Sequence, residues 1–125
     1  MVLDIYSEHI ITHATSPHNY GGIKGVLGVV VDNPTCGDEL TLYIQTKNGI
    51  VEAAGFTGVC CALSTASASL FTDYIRNKTI TELKSITPGD IYTLFGVPVA
   101  PVRSNCVLLV YLALEKWLRA EDTKD

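Results

Sequence analysis

At 125 residues, with 47% hydrophobic and 18% charged side chains, the chain can bury roughly two thirds of its unfolded surface in one core. It therefore reads as a single domain over residues 1–125 and not as a disordered segment. A net charge of −4 with scattered Lys and Arg argues against nucleic-acid binding. The start, Met1-Val2-Leu3-Asp4-Ile5, has an acid and no basic run, unlike a secretory signal, and the longest apolar stretch, Cys106 to Leu114, falls short of the ~20 residues that cross a bilayer. The expectation is a cytoplasmic chain without a membrane partner, in which four cysteines are reduced thiols used for chemistry. Cys60 and Cys61 would also pair badly with each other, because a vicinal bridge strains the backbone between them.

Val2, Ile5, Tyr6, His9, Ile10 and His13 recur at three- and four-residue steps, which predicts an amphipathic helix ending near Ser16-Pro17. His9 and His13 are spaced to clasp a metal, but on an apolar stripe they read better as lining a core edge or a partner face. His18 to Gly22 reads as a turn and a flexible link. Val26 to Val31, rich in β-branched residues, predicts a strand leading into Asp32-Asn33-Pro34. Leu40 to Gln45 alternates, Asn48-Gly49 follows, and Ile50 to Phe56 is a second run; this is a hairpin with a primed turn. The strands predict a small antiparallel sheet with one wet and one covered face.

After Cys61, the run from Ala62 to Phe71 is packed with small residues, and Tyr74 and Ile75 continue at helical spacing, so a helix lies close to the sheet. A short helix follows over Thr81 to Lys84 with Thr79 as its cap, and Thr87-Pro88-Gly89-Asp90 breaks it. Val97 to Pro101 is extended and stiffened by proline. A last helix runs from Asn105-Cys106 to Arg119 with Val107, Val110, Tyr111, Leu114 and Leu118 buried, and the tail frays.

The chemistry concentrates in three stretches at element boundaries: Asn33-Pro34-Thr35-Cys36-Gly37-Asp38, Gly58-Val59-Cys60-Cys61-Ala62-Leu63-Ser64 and Val102-Arg103-Ser104-Asn105-Cys106. Cys36, Asp38, Cys61 and Cys106 supply three thiols and one carboxylate, a tetrahedral set of mixed hard and soft character, for a transferable metal or an iron-sulfur cluster. Cys61 and Cys106 fall at helix starts, where unpaired N–H groups favour a thiolate. Asp38 is the weakest partner for a thiophilic cargo, so the site is built for release. Cys60 reads as a small buried hydrophobe or a spare ligand. Arg103 reads as a solvated charge that could balance the thiolates. Ser64, Ser67 and Ser69 read as small packing residues.

Tyr6-Ser7-Glu8 through His13, Ser16-Pro17-His18-Asn19-Tyr20-Gly21, Thr35-Cys36-Gly37-Asp38, Cys61-Ala62 running into Ser67-Ala68-Ser69, and Arg103-Ser104-Asn105-Cys106 together resemble the IscU, SufU and NifU N-terminal family of iron-sulfur cluster assembly scaffolds. The resemblance covers nearly the whole chain. It implies an α+β fold, a three-stranded antiparallel sheet packed by helices in a SufE/NifU-like sandwich. It also implies a scaffold that takes sulfur from a cysteine desulfurase, acquires iron, builds a [2Fe-2S] cluster on Cys36, Asp38, Cys61 and Cys106, and hands it to apo iron-sulfur acceptor proteins. Zinc often occupies such sites. In a SufU-type sulfurtransferase, zinc organises the site and Cys106 or Cys61 accepts persulfide.

Asn105 stands where the IscU branch has histidine and the SufU branch usually lysine, and Cys60 replaces a family glycine. Val99-Ala100-Pro101-Val102-Arg103 matches only in part the Leu-Pro-Pro-Val-Lys chaperone motif of the IscU branch, so a dedicated chaperone is not implied. Arg103 and Leu112-Ala113-Leu114 are closer to SufU, without the insertion of many SufU proteins. A purely structural zinc domain fits less well, since such sites favour four N or S ligands, and for a hydrolytic zinc enzyme the sequence offers no general base. Monomer and homo-oligomer both stay open.

Overall fold

A computed structural model describes the backbone of residues 2–33 and 37–122 and the side chains of residues 8–33 and 37–121. Helix α1 (Val2–Thr15) is followed by strands β1 (Val29–Asn33), β2 (Asp38–Lys47) and β3 (Ile50–Val59). Helices α2 (Ala62–Ile75), α3 (Ile80–Lys84) and α4 (Pro88–Phe95) come next, then a 3-10 turn (Pro101–Arg103), α5 (Ser104–Val107) and α6 (Leu109–Asp122). The strands form one antiparallel sheet in the order β1-β2-β3, the expected α+β architecture. No described helix is long and apolar enough to cross a membrane.

The β2–β3 hairpin turns on Asn48 and Gly49, both left-handed with φ of 56° and 77°, as a primed two-residue turn requires. Along β2 the alternate residues Asp38, Leu40, Leu42 and Ile44 are buried. They share a face with one another because strand side chains alternate, and α2 and α6 pack on the sheet. A one-residue slip would turn Leu40, Leu42 and Ile44 outward at about 1.5–3 kcal/mol each, and it would carry Asp38 to the wet face. The same register therefore serves core and site.

Helix α2 is the centre of the helical layer. Ala66, Ser67, Ala68 and Ser69 are all buried, and small side chains there let α2 touch α1, β3, α4, α5 and α6. Ile10 and His13 of α1 are buried against this layer, whereas His9 is exposed with its ring edge-on to His13. Of the expected α1 stripe, the side chains of Val2, Ile5 and Tyr6 lie outside the described residues.

Four expectations are corrected. The segment His18 to Gly22 is no flexible link: the Gly21 N–H donates to Phe56 O (2.7 Å) and the Phe56 N–H to Asn19 O (3.1 Å), which pins it along the outer edge of β3. Farther along that edge, Val51 exchanges hydrogen bonds with Lys78 and Asn77, and the Ile80 N–H reaches Gly49 O. On β1, the Lys116 ammonium donates to Val30 O at 2.7 Å.

Strand β1 starts at Val29, not Val26, because the Val26 N–H closes a turn onto Ile23 O. Thr87-Pro88-Gly89-Asp90, read as a breaker, begins a helix. Thr87 accepts from the Asp90 N–H while Asp90 accepts from the Thr87 N–H, and Pro88 sits where no N–H is needed. The single last helix is two, broken at Leu108. Ser67 Oγ of α2 donates to Val107 O at 2.7 Å, so a carbonyl that would continue the helix is engaged sideways. The Tyr111 N–H bonds to Leu108 O instead.

Two tests follow from this frame. Gly58 has φ of +142°, and a Cβ there would lie 2.0 Å from Glu39 O. Gly58→Ala is expected to lower the unfolding free energy by about 3 kcal/mol or more, read by urea titration; an unchanged midpoint contradicts the geometry.

The second concerns His13, whose Nδ1 is 2.6 Å from Ser69 Oγ. Ser69 accepts from the His18 N–H, which leaves its own proton for a neutral His13. Burial, the largest effect, and the nearby His18 and His9 hold the His13 imidazole below 6.5, against an opposing pull from Asp73. The unfolded chain then takes up a proton before the folded one does, so stability is full above pH 6.5 and falls as the pH drops from 6.5 through the folded value. His13→Gln should flatten this fall in metal-free protein over that window, and a slope equal to the parent's would refute the assignment.

Candidate metal centre

The site forms where the first residues of β2 and α2 meet the single turn of α5. Cys61 is the N-cap of α2, with extended backbone (φ −69°, ψ 170°) and its Sγ 3.5 Å from the Ser64 N–H. Sulfur is a weaker cap than the oxygen of Ser or Asp, and Asp38 supplements it. Its Oδ1 accepts the Cys61 N–H at 3.2 Å, and its Oδ2 accepts the Ser64 hydroxyl at 2.8 Å. Asp38 is 6% exposed. A carboxylate at a helix N-terminus is favoured by the dipole, by about 0.3–1 kcal/mol at exposed sites and more when partly buried.

Cys106, half-buried in α5, completes the group. One ligand atom each from Asp38, Cys61 and Cys106 lies within 4.8 Å of the others. Tetrahedral bonds of about 2.3 Å to sulfur and about 2.0 Å to oxygen set ligand separations somewhat shorter than that, so small side-chain adjustments suffice to close the group on an ion. Two thiols and a carboxylate fit zinc or iron in their chemistry. Of the four ligands predicted from sequence, three are brought together, and Cys36 lies outside the described residues, two positions before Asp38.

Cys60 is half-buried and its thiol points at β2, donating to Glu39 O at 3.2 Å; it is not one of the grouped ligand atoms. Cys60, Cys61 and Cys106 form no disulfide. Arg103 is exposed at the end of the 3-10 turn. His13 and His18 belong to a separate network with Ser69, Asn19, Thr72 and Asp73. Burial acts to raise the Asp73 carboxyl, and the hydrogen bonds from His18 and Asn19 outweigh it, leaving the group below its ordinary range.

Ser64 is the residue that sequence reasoning placed with the packing serines. It is 2% exposed, and its Oγ lies 2.8 Å from Asp38 Oδ2, 3.0 Å from Cys106 O and 3.5 Å from Cys61 Sγ. The signal available in sequence was its position at the third residue of a helix capped by Cys61, where a side chain faces the cap.

The model of the NifU-like N terminal domain matches residues 5–121. The chain is 36% identical to the zinc-dependent sulfurtransferase SufU of Bacillus subtilis, over 94% of this chain and 92% of that one. It is 33% identical to the iron-sulfur cluster assembly scaffold protein IscU of Escherichia coli K12, over 88% of each. Among solved structures, a putative iron-sulfur cluster assembly scaffold protein for the SUF system from Fervidobacterium islandicum superimposes with a TM-score of 0.75 at 28% identity, over 91% of this chain and 96% of that one. With its fold and nearly its full length accounted for, the chain belongs to the NifU-like N-terminal domain family.

Proposed function

We propose that the chain is an iron-sulfur cluster assembly scaffold. It receives sulfur from a cysteine desulfurase, holds iron and a nascent [2Fe-2S] cluster on Cys36, Asp38, Cys61 and Cys106, and yields the cluster to apo acceptor proteins. The observation that carries this is the convergence of Asp38, Cys61 and Cys106 from three distant segments to within 4.8 Å. The resemblance to named scaffolds supports it.

Thiolates of Cys61 and Cys106 bind a thiophilic cargo firmly, whereas the Asp38 carboxylate is harder and exchanges first. Asp38 also has somewhere to go: the Cys61 N–H and Ser64 hydroxyl that now hold its two oxygens stabilise it when an incoming thiolate takes its place. The site thus binds through sulfur and releases through oxygen.

A second reading is favoured by the zinc-dependent sulfurtransferase among the relatives. Here Cys36, Asp38, Cys61 and Cys106 would hold a resident zinc ion, which would supply Lewis acidity to the thiols. Cys106 or Cys61, as thiolate, attacks the outer sulfur of the desulfurase persulfide; one S–S bond forms as another breaks, the donor cysteine leaves as thiolate, and no net oxidation occurs.

Anaerobic incubation with iron, cysteine and a desulfurase separates the two. Visible charge-transfer absorption that is lost in Cys61→Ser and Cys106→Ser is expected for the scaffold; persulfide on zinc-loaded protein without cluster absorption overturns it in favour of the transferase. Asp38→Ala and Asp38→Cys should each slow transfer to an acceptor by at least about tenfold with far-UV circular dichroism unchanged. Transfer at the parent rate would refute the release role of Asp38.

A further inference from the structure

We infer that Ser64 is a positioning residue of the metal centre: its buried hydroxyl aligns the Asp38 carboxylate, with the Cys106 carbonyl as the alternative acceptor. The inference rests on the reading of Asp38, Cys61 and Cys106 as ligands.

Three ligand-bearing segments reach the site from far apart in the chain, and Ser64 touches all three. Its hydroxyl lies 2.8 Å from Asp38 Oδ2 and 3.0 Å from the Cys106 carbonyl, and its own N–H faces Cys61 Sγ at 3.5 Å. One hydroxyl proton faces two acceptors. The charged carboxylate at the shorter distance is the stronger, and the carbonyl is the alternative. Given to Asp38 the proton ties β2 to α2, and given to the carbonyl it ties α5 to α2.

The carboxylate is fixed at both ends, since Oδ1 is held by the Cys61 N–H. Its plane is set by the first turn of α2, and each oxygen keeps a further lone-pair direction for an ion. Partners of this kind, bonded to ligands and not to metal, orient the first coordination sphere and change metal affinity by about 10–100-fold when removed.

Helix α2 supplies a control. Ser67, one turn on, is 3% exposed and donates to Val107 O at 2.7 Å. It ties α2 to α5 and makes no hydrogen bond to the grouped ligand side chains. A structural hydroxyl and a positioning hydroxyl can thus be told apart on one helix.

The test compares the full chain with Ser64→Ala, Ser67→Ala, and the isosteric pair Ser64→Thr and Ser64→Val. Zinc affinity is read by competition with a chromophoric chelator, ligand geometry by the visible spectrum of the cobalt(II) form, and fold by the thermal midpoint of metal-free protein. Ser64→Ala should weaken zinc binding by about 10–100-fold and shift the cobalt bands, whereas Ser67→Ala lowers the metal-free midpoint and leaves both metal readouts in place.

Should Ser64→Ala not fold, Ser64→Thr is expected to bind zinc at least about tenfold more tightly than Ser64→Val. Equal zinc affinities for Ser64→Ala and Ser67→Ala, or for the Thr and Val forms, overturn the inference while Cys61→Ser still abolishes binding. Undiminished zinc binding by Cys61→Ser instead removes the ligand assignment, and the inference falls with it.

Discussion

The first turn of α2 and the carboxylate of Asp38 hold each other. A helix begins with N–H groups that have no partner inside it, and Cys61 offers only sulfur as a cap. Asp38 supplies oxygen to the Cys61 N–H and to the Ser64 hydroxyl. The helix gains its missing acceptor, and the acid gains a fixed orientation. Asp38 can do this only because β2 keeps the register that buries Leu40, Leu42 and Ile44. The apolar core sets which face Asp38 occupies, and a pair of hydrogen bonds sets its angle.

The same division of labour runs along the rest of α2. Ala66, Ala68 and Phe71 bury apolar surface, while Ser64, Ser67, Ser69 and Thr72 are buried hydroxyls aimed at different neighbours: the site, α5, and the His13, His18 and Asn19 cluster. Among the described side chains, no buried nitrogen or oxygen lacks a partner. Each such bond contributes about 0.5–1.5 kcal/mol net, less than a buried Leu or Phe. Their value lies in direction, since they fix where elements begin and end.

What the sequence disclosed follows from which interactions are local. The Asn48-Gly49 turn, the alternation of β2 and the small residues of α2 are local signals, and each marked its element. The grouping of Asp38, Cys61 and Cys106 was legible because few other chemistries use that set. Ser64 was not legible, because its distinction from Ser67 depends on β2 and α5 arriving beside it. The break at Leu108 was hidden for the same reason, as the competing donor, Ser67, comes from α2. Thr87-Pro88-Gly89-Asp90 was local but ambiguous: proline and glycine that end one helix also open another once Thr87 and Asp90 pair.

The sheet has three strands and two outer rims. Along β3, residues 19–21 and 77–80 occupy the backbone groups, and on β1 the Lys116 ammonium sits on the Val30 carbonyl. A blocked rim and a positive charge both discourage strand-to-strand growth between molecules. With both rims occupied, crowded copies are kept from polymerising through their sheets, and the half-buried thiols at the start of α2 and in α5 stay clear of that growth.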